Sequence, residues 1–578
     1  MKRSMASFAD AVEQTLSNAA RDGQPFSAAC IAQHDRREQC PEAACQLLNV
    51  FGLAAYYVPV GHGGKLESFS ELVQLLRAVA RRDLTTAVAH GKTFLGAACV
   101  WVAADPTQAQ WLAQEIVAGS IVSWGLTERH HGSDLLASEF TASKHPHGWL
   151  VNGEKWPINN ATRGQVLCAL AQTDPAGGPR GFSLLLMDKR ELVPGSYRCL
   201  PKEATHGIRG ADISGIAYHD AVVPHGALVG TVGEGLEVVL KALQMTRTVC
   251  AALSLGAADH AFELALRFAS ERQMYGRRLL DLPLVRRTLG EAAATLLVAE
   301  TVSEVASRCI TTLPGEMSVV SAVTKAFVPS VIDELIASLG DLLGARAFLT
   351  GVFEHGMYQK IERDHRIVAI FDGSTVVNRN SVINQFGSLS RLYDGQTCDR
   401  EGLAVALDAR APLPPFAPGR LRLVSNTGCS VLQALPQAVV ELGQIQGARR
   451  PTARALRMAD AVQEAASTLI QECCAYRPSS RDVPPEAFDL ARRYELCFAG
   501  AACIGYWVAN HRHVREEEGS TALWDDALWL ESALVRIVHQ LTPTAPQLET
   551  DMESYDLLID RILVDGPRRV SALIPHDE

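Results

Sequence analysis

Between Ser120 and about Pro224, short runs broken by glycine and proline interrupt a chain otherwise written with helical period. The runs GWLVNGEKWPINN, QVLCALAQT, GFSLLLMD and ISGIAYHDAVVP are rich in β-branched and aromatic residues and bounded by turn formers, so they are predicted strands. Strands so closely spaced make a small barrel or sandwich, here held between helical regions, and such a layer can wall a pocket. From Ala6 to about Gly119, segments such as ESFSELVQLLRAVARRD repeat apolar residues at three and four, with Ser68 or Ser70 as candidate caps. FGLAAYYVPVGHGG, Phe51 to Gly64, is a predicted turn between helices. From Gly233 to about Tyr393 helices return, and Val249, Leu253, Ala257, Ala261, Leu264 and Phe268 form a stripe that a bundle would bury.

The expected fold is therefore mainly α with a central β domain. It divides into an N-terminal helical domain (1–119), a β domain (120–232), a helical bundle (233–405), a proline-rich semi-rigid linker (406–420) and a C-terminal helical domain (421–578). A chain of 578 residues is long enough for about three or four domains. With 47% hydrophobic and 20% charged residues and a net charge of -10, it reads as a globular protein with no call for nucleic acid. The 14 cysteines are single except for Cys473-Cys474 and show no zinc spacing, which suggests reduced thiols, a cytoplasmic location and no metal. MKRSMASFADAVEQTL carries Asp10 and Glu13 where a signal peptide needs an apolar core, and no stretch has the roughly 18 uninterrupted apolar residues of a membrane span.

Chemistry concentrates at RDHRIVAIFDGST, Arg363 to Thr375. By itself, Asp372 before Gly373-Ser374-Thr375 and a helical run is an ordinary N-cap. WGLTERHHGSD, Trp124 to Asp134, offers backbone amides and the hydroxyls of Thr127 and Ser133 as neutral donors, and Gly132 permits close backbone approach. Together with VPVGHGG (Val58 to Gly64) and FASERQMYG (Phe268 to Gly276), these stretches resemble the acyl-CoA dehydrogenase flavoproteins over about residues 45 to 390. The resemblance is to the longer type, with a C-terminal helical extension.

The resemblance implies FAD as cofactor and a defined set of contacts. Thr127 would meet the isoalloxazine and Ser133 the pyrophosphate, with Trp124, Leu126 and Gly132 among the cofactor contacts. Pro157 and Asn159 fall where the family has an aromatic beside the ring and a hydroxyl residue at N5, and Asn159 can still donate there. Trp156, one residue earlier, points to the other face of its strand and is more simply a core or surface tryptophan. Arg272, with Tyr275 beside it, would reach a neighbouring subunit's diphosphate, a task suited to a planar guanidinium. Arg346 lies in a turn whose usual glycines have become Ala345 and Ala347, and would be a charged clamp or a solvated residue. Ser374 would join the cofactor contacts. His131 replaces a small residue and would add a donor or narrow the site.

Asp372 stands where the family carries its base, followed by Gly373, with Arg247 in support. The implied reaction removes a proton α to a thioester carbonyl while hydride leaves the β carbon for flavin N5, with the Asp372 amide among the donors to the carbonyl. The acyl thioester would be carried on coenzyme A or a carrier protein. Electrons would pass to an electron-transfer flavoprotein or oxygen, and the enzyme would be a homodimer. The family usually has glutamate at this position, and a displacement of about 1 Å costs on the order of a hundredfold in rate unless compensated. Thr246, at the family's other base position, cannot act as a carboxylate. Two alternatives follow: a flavin oxidase or monooxygenase resembling nitroalkane oxidases, which use aspartate, or a non-catalytic binding protein.

Overall fold

The computed structural model describes residues 5–393, 397–447, 449–477, 479, 482–514, 521–542, 549–565 and 571. Residues 1–4 of the N-terminal stretch, and parts of the C-terminal unit including 572–578, lie outside these. The expected order of helical, strand-rich and helical regions is the order observed.

The β domain holds eight strands: β1 (Val122–Gly125), β2 (Thr141–His145), β3 (Gly148–Asn159), β4 (Val166–Gln172), β5 (Phe182–Asp188), β6 (Tyr197–Leu200), β7 (Ile213–Val223) and β8 (Leu228–Val229). The four predicted runs are β3, β4, β5 and β7. The sheet runs β6-β7-β3-β2-β4-β5-β8, with β1 parallel to β4. β4 shows why its sequence is apolar throughout. Val166, Cys168 and Leu170 join the main helical core, whereas Leu167, Ala169 and Ala171 join a second core with Phe140, Val151 and Tyr218. Alternate side chains leave a strand on opposite faces, so a strand between two cores has no polar side.

The helix Leu84–Ala103 lies against β1 so closely that a Cβ on Gly96 would sit 2.6 Å from the Val122 carbonyl oxygen. In the preceding helix, Phe69–Arg82, Ser68 is the cap used, accepting from Glu71 N at 3.3 Å. Ser70 is buried instead and donates to Glu304. Arg77 of this helix is buried against Asp259 and Glu300, at 2.7 and 2.5 Å, and ties the N-terminal helices to the bundle.

The bundle is built on Gly235–Val249, Ala251–Glu271, Pro283–Thr312 and Met317–Leu343, and the predicted stripe from Val249 to Phe268 is buried. Gly235–Glu271 is apolar enough to cross a membrane, but 89% of its apolar window is buried in the protein. Ala251–Glu271 ends at the hairpin β9 (Gln273–Met274) and β10 (Arg277–Arg278). The proline-rich segment packs as a strap. Arg308 donates to the carbonyls of Val405, Ala406, Asp408 and Ala411, and Phe416 meets Phe69 edge-on at 5.2 Å. The C-terminal helices are fastened to the bundle as well: Arg379 pairs with Glu495 at 2.8 Å, and Arg286 with Asp556 at 2.6 Å.

Candidate active site

Asp372 lies in the turn between helices Met357–His365 and Thr375–Ile383, and is not the cap of the second. That role belongs to Ser374, whose Oγ accepts from Val377 N at 3.4 Å. The helix-cap reading of Asp372 is thereby corrected, because Ser374, two residues further on, already satisfies the helix. The Asp372 carboxylate is left to point elsewhere, with its side chain 9% exposed. Its backbone takes φ +56°, a region costly for residues other than glycine and often retained at functional sites, and Gly373 follows at +90°.

Three cations and a thiol surround this turn. Lys92, on Leu84–Ala103, places Nζ 3.5 Å from Asp372 Oδ1 and 3.6 Å from the centre of the Phe371 ring. Arg247 Nε donates to the Asp372 carbonyl at 3.0 Å, and burial pushes its guanidinium down to about 10. Lys325 donates to the carbonyls of Val368 (2.7 Å) and Gly373 (3.2 Å); burial pushes it down to about 8. Cys250 Sγ lies 3.7 Å from Asp372 Oδ2 and its thiol is pushed up, first by burial and then by the Asp372 charge. A Cβ on Gly373 would approach Arg247 Nη2 to 3.0 Å. Among the described residues the Asp372 amide has no acceptor.

Upstream, Lys360 bridges Asp83 (2.7 Å) and Asp364 (2.5 Å), and Asp364 accepts from Ile208 N at 2.6 Å. These buried bonds join the N-terminal domain, the β domain and the segment leading to Asp372.

The Trp124–Asp134 loop is organised by a charge pair. Glu128 accepts from Lys155 Nζ (2.7 Å), the Glu139 and Phe140 amides and Ser138 Oγ. Burial would raise the Glu128 carboxyl, but Lys155 and these bonds hold it low; burial pushes Lys155 down to about 8. Lys155 also donates to the Leu126 carbonyl, and Trp156 N to the Thr127 carbonyl, at 3.1 and 2.9 Å. The loop backbone is thus fixed against β3, with Thr127 half-buried and Gly132 and Ser133 exposed. His131 turns to Asp134 at 3.3 Å. Pro157 is exposed, and Trp156 lies under Arg129 and donates to Glu203, so it is a surface tryptophan.

Asn159 has both amide atoms buried without a partner among the described residues, as does the Thr246 hydroxyl. An unpaired buried amide is costly and marks a place where an exogenous polar group fits. Its neighbour Asn160 donates to Ala89 O at 2.9 Å, on the helix that carries Lys92. The structure therefore brings β3, Lys92, Arg247 and Asp372 to one locale. Arg272, Tyr275 and Arg346 are not part of it. Arg272 caps a bundle helix in solvent, Tyr275 is 88% exposed, and Arg346 stacks on Phe268 with its guanidinium 5.3 Å from the ring centre.

Residues 123–221 match the acyl-CoA dehydrogenase middle domain and residues 233–386 the acyl-CoA dehydrogenase C-terminal domain. The chain belongs to the acyl-CoA dehydrogenase family. This is a family of FAD-dependent oxidoreductases. Among its relatives, the probable acyl-CoA dehydrogenase FadE25 of Mycobacterium tuberculosis is 25% identical over 349 residues, 60% of this chain and 88% of the relative. The fold is that of an acyl-CoA dehydrogenase from Bacillus anthracis complexed with FAD, with TM-score 0.72, 18% identity, and 99% of this chain and 98% of that one covered. The likeness thus extends through the C-terminal helices. The prolyl acyl carrier protein oxidase AnaB shares the fold over 66% of this chain and 98% of its own, with TM-score 0.60 and 17% identity.

Lys92, Lys325 and Cys250 escaped the sequence reading. Lys92 is one cation in the apolar helix segment TAVAHGKTFLGAACVW, and only that isolation could have drawn notice.

Proposed function

We propose that this acyl-CoA dehydrogenase family member is an FAD-dependent α,β-dehydrogenase of acyl thioesters, carried on coenzyme A or a carrier protein, with Asp372 as the base. The observation that carries the reading is the Asp372 carboxylate itself: released from helix capping by Ser374, nearly buried, and held by Lys92. Bound FAD would supply the hydride acceptor. The chain offers Asn159 as a buried, unpaired amide for its ring, and the Thr127 and Ser133 hydroxyls on a loop pinned by Glu128 and Lys155. Trp124, Leu126, Gly132, Pro157 and Ser374 complete the set on this side.

Asp372 takes the α proton. Arg247 holds the turn from its carbonyl side, Gly373 leaves room for that guanidinium, and the Asp372 amide is free to receive the oxygen on which enolate charge develops. Lys92 keeps the shorter aspartate arm in one orientation. The protein is cytoplasmic and homodimeric in this reading, with exposed Tyr275 and Arg272 and half-buried Arg346 facing the partner, and passes electrons to an electron-transfer flavoprotein.

A second reading, a flavin oxidase acting on a carrier-bound or more acidic substrate, is favoured by the aspartate in place of glutamate and by exposed Pro157. One experiment separates them. The purified yellow protein is mixed anaerobically with a panel of acyl-CoA and carrier-bound thioesters. Flavin bleaching, slow to reverse in air, supports the dehydrogenase; bleaching with rapid peroxide formation supports the oxidase. A protein that binds no flavin after reconstitution rules out both.

A further inference from the structure

Away from the Asp372 site, two cysteines meet at the start of one helix. The helix Glu42–Phe51 has Pro41 as its N-cap, which puts Cys40 just before the cap and Cys45 at the fourth helical position. Side chains at these two positions pack against each other across a helix start. Cys45 is thereby set against Cys40, and Arg163 Nη1 points at the Cys40 sulfur from the loop after β3. Arg163 is itself anchored there, its backbone N donating to Asp212 Oδ2 at 2.9 Å.

The pair is unequal. The bond from Cys45 and the charge of Arg163 hold the Cys40 thiol below its ordinary value, against burial and the carboxylates of Glu42 and Asp212. The same bond, with burial, pushes Cys45 up. Of the two, Cys40 is the sulfur tilted toward the thiolate, and Cys45 holds its proton the more tightly. Both are reachable. Cys40 lines a surface cleft with Thr162, Arg163, Cys199 and Lys202, and Cys45 lines a second cavity with Asn49 and Tyr57. A thiol beside a guanidinium, partly exposed and with a second thiol set against it across the helix start, is the arrangement of a peroxide-reactive cysteine with its resolving partner.

We propose that Cys40 and Cys45 form a peroxide-reactive dithiol that closes to a disulfide. The Cys40 thiolate attacks one oxygen of a hydroperoxide; the O–O bond breaks, and the leaving alkoxide or hydroxide takes a proton. Cys40 is left as a sulfenic acid. The Cys45 sulfur then attacks the Cys40 sulfur, its proton leaves with the hydroxyl as water, and an S–S bond forms. Two thiols lose two electrons, and one peroxide bond gains them. Closure takes the sulfur partner from Arg163, on the loop that follows Asn160.

The test uses the full chain, fully reduced, treated with limiting hydrogen peroxide, alkylated and mapped by peptide mass. The peptide holding Cys40 and Cys45 should appear two hydrogens lighter before exposed Cys474 is modified. In Cys45→Ser, Cys40 should persist as a sulfenic acid that a 1,3-dione traps. Arg163→Gln should slow oxidation of Cys40 by about tenfold, and Arg163→Lys should retain most of the rate. Oxidation of Cys474 as fast as the pair, or over-oxidation of Cys40 with no link to Cys45, overturns the proposal. So does an unchanged rate in Arg163→Gln. None of these readouts depends on flavin or on thioester turnover.

Discussion

Lys92 Nζ stands 3.5 Å from Asp372 Oδ1, so a helix of the N-terminal domain holds the carboxylate of a turn some 280 residues later in the chain. The same ammonium lies 3.6 Å from the centre of the Phe371 ring, so that one cation fixes two consecutive side chains. If this pair orients the base, Lys92→Met will slow anaerobic flavin reduction by about tenfold to a hundredfold, and Lys92→Arg will recover part of the loss. Stopped-flow bleaching measures it. A Lys92→Met protein as fast as the parent would show that the contact positions nothing.

Removing the base is the sharper change. Asp372→Asn keeps the size of the side chain and should lower the rate of flavin reduction by about 10³-fold, within the range for loss of a general base. Its bound flavin spectrum should match the parent's, which separates lost chemistry from a lost site. Asp372→Glu tests the arm length: a rise in rate would mean that the substrate sits where a glutamate would reach it.

The pair Lys155 and Glu128 is buried, at 2.7 Å, beneath the Trp124–Asp134 loop. Lys155→Met leaves Glu128 buried without its cation and should cost about 3–5 kcal/mol. Thermal unfolding would register the loss, and flavin would be retained less firmly because the Leu126 carbonyl loses its donor. Combining it with Glu128→Gln removes the unpaired charge and should recover part of the stability.

His90 is buried between Tyr57 Oη (2.6 Å at Nδ1) and Asn49 Oδ1 (2.9 Å at Nε2), and burial pushes it down to about 4. A tyrosine hydroxyl donating to Nδ1 and an Nε2–H donating to the amide satisfy both contacts with the ring neutral. Below pH 6.5 the unfolded chain takes up a proton that the folded protein refuses until about pH 4. The contribution is therefore complete above 6.5 and lost as the pH falls to about 4, roughly 3 kcal/mol in all. His90→Gln should flatten the fall of Tm between pH 6.5 and 4; a parallel fall in both proteins would refute the assignment.

Much of the fold was legible because its signals are local. The runs that became β3, β4, β5 and β7 carry strand composition between turn residues, and the stripe from Val249 to Phe268 has helical spacing whatever it packs against. Asp372 could be singled out from its motif, but its freedom could not. Which of Asp372 and Ser374 caps the following helix depends on a φ of +56° that the surrounding packing imposes. The strap 406–420 reads as a spacer because proline-rich composition sets backbone stiffness, whereas its attachment to the bundle depends on Arg308, about a hundred residues earlier.

The sequence by itself determined the element types, the apolar faces and the residues with chemistry to offer, since these follow from side-chain periodicity and backbone preference over a few residues. Only the tertiary structure decided which of them meet. Lys92, Arg247, Lys325 and Cys250 come to Asp372 from three separate helices, and Arg163 comes to Cys40 from the β domain. The strength of each contact depends on a separation of a few ångströms and on how much water is excluded, and neither is a property of any segment of the chain alone.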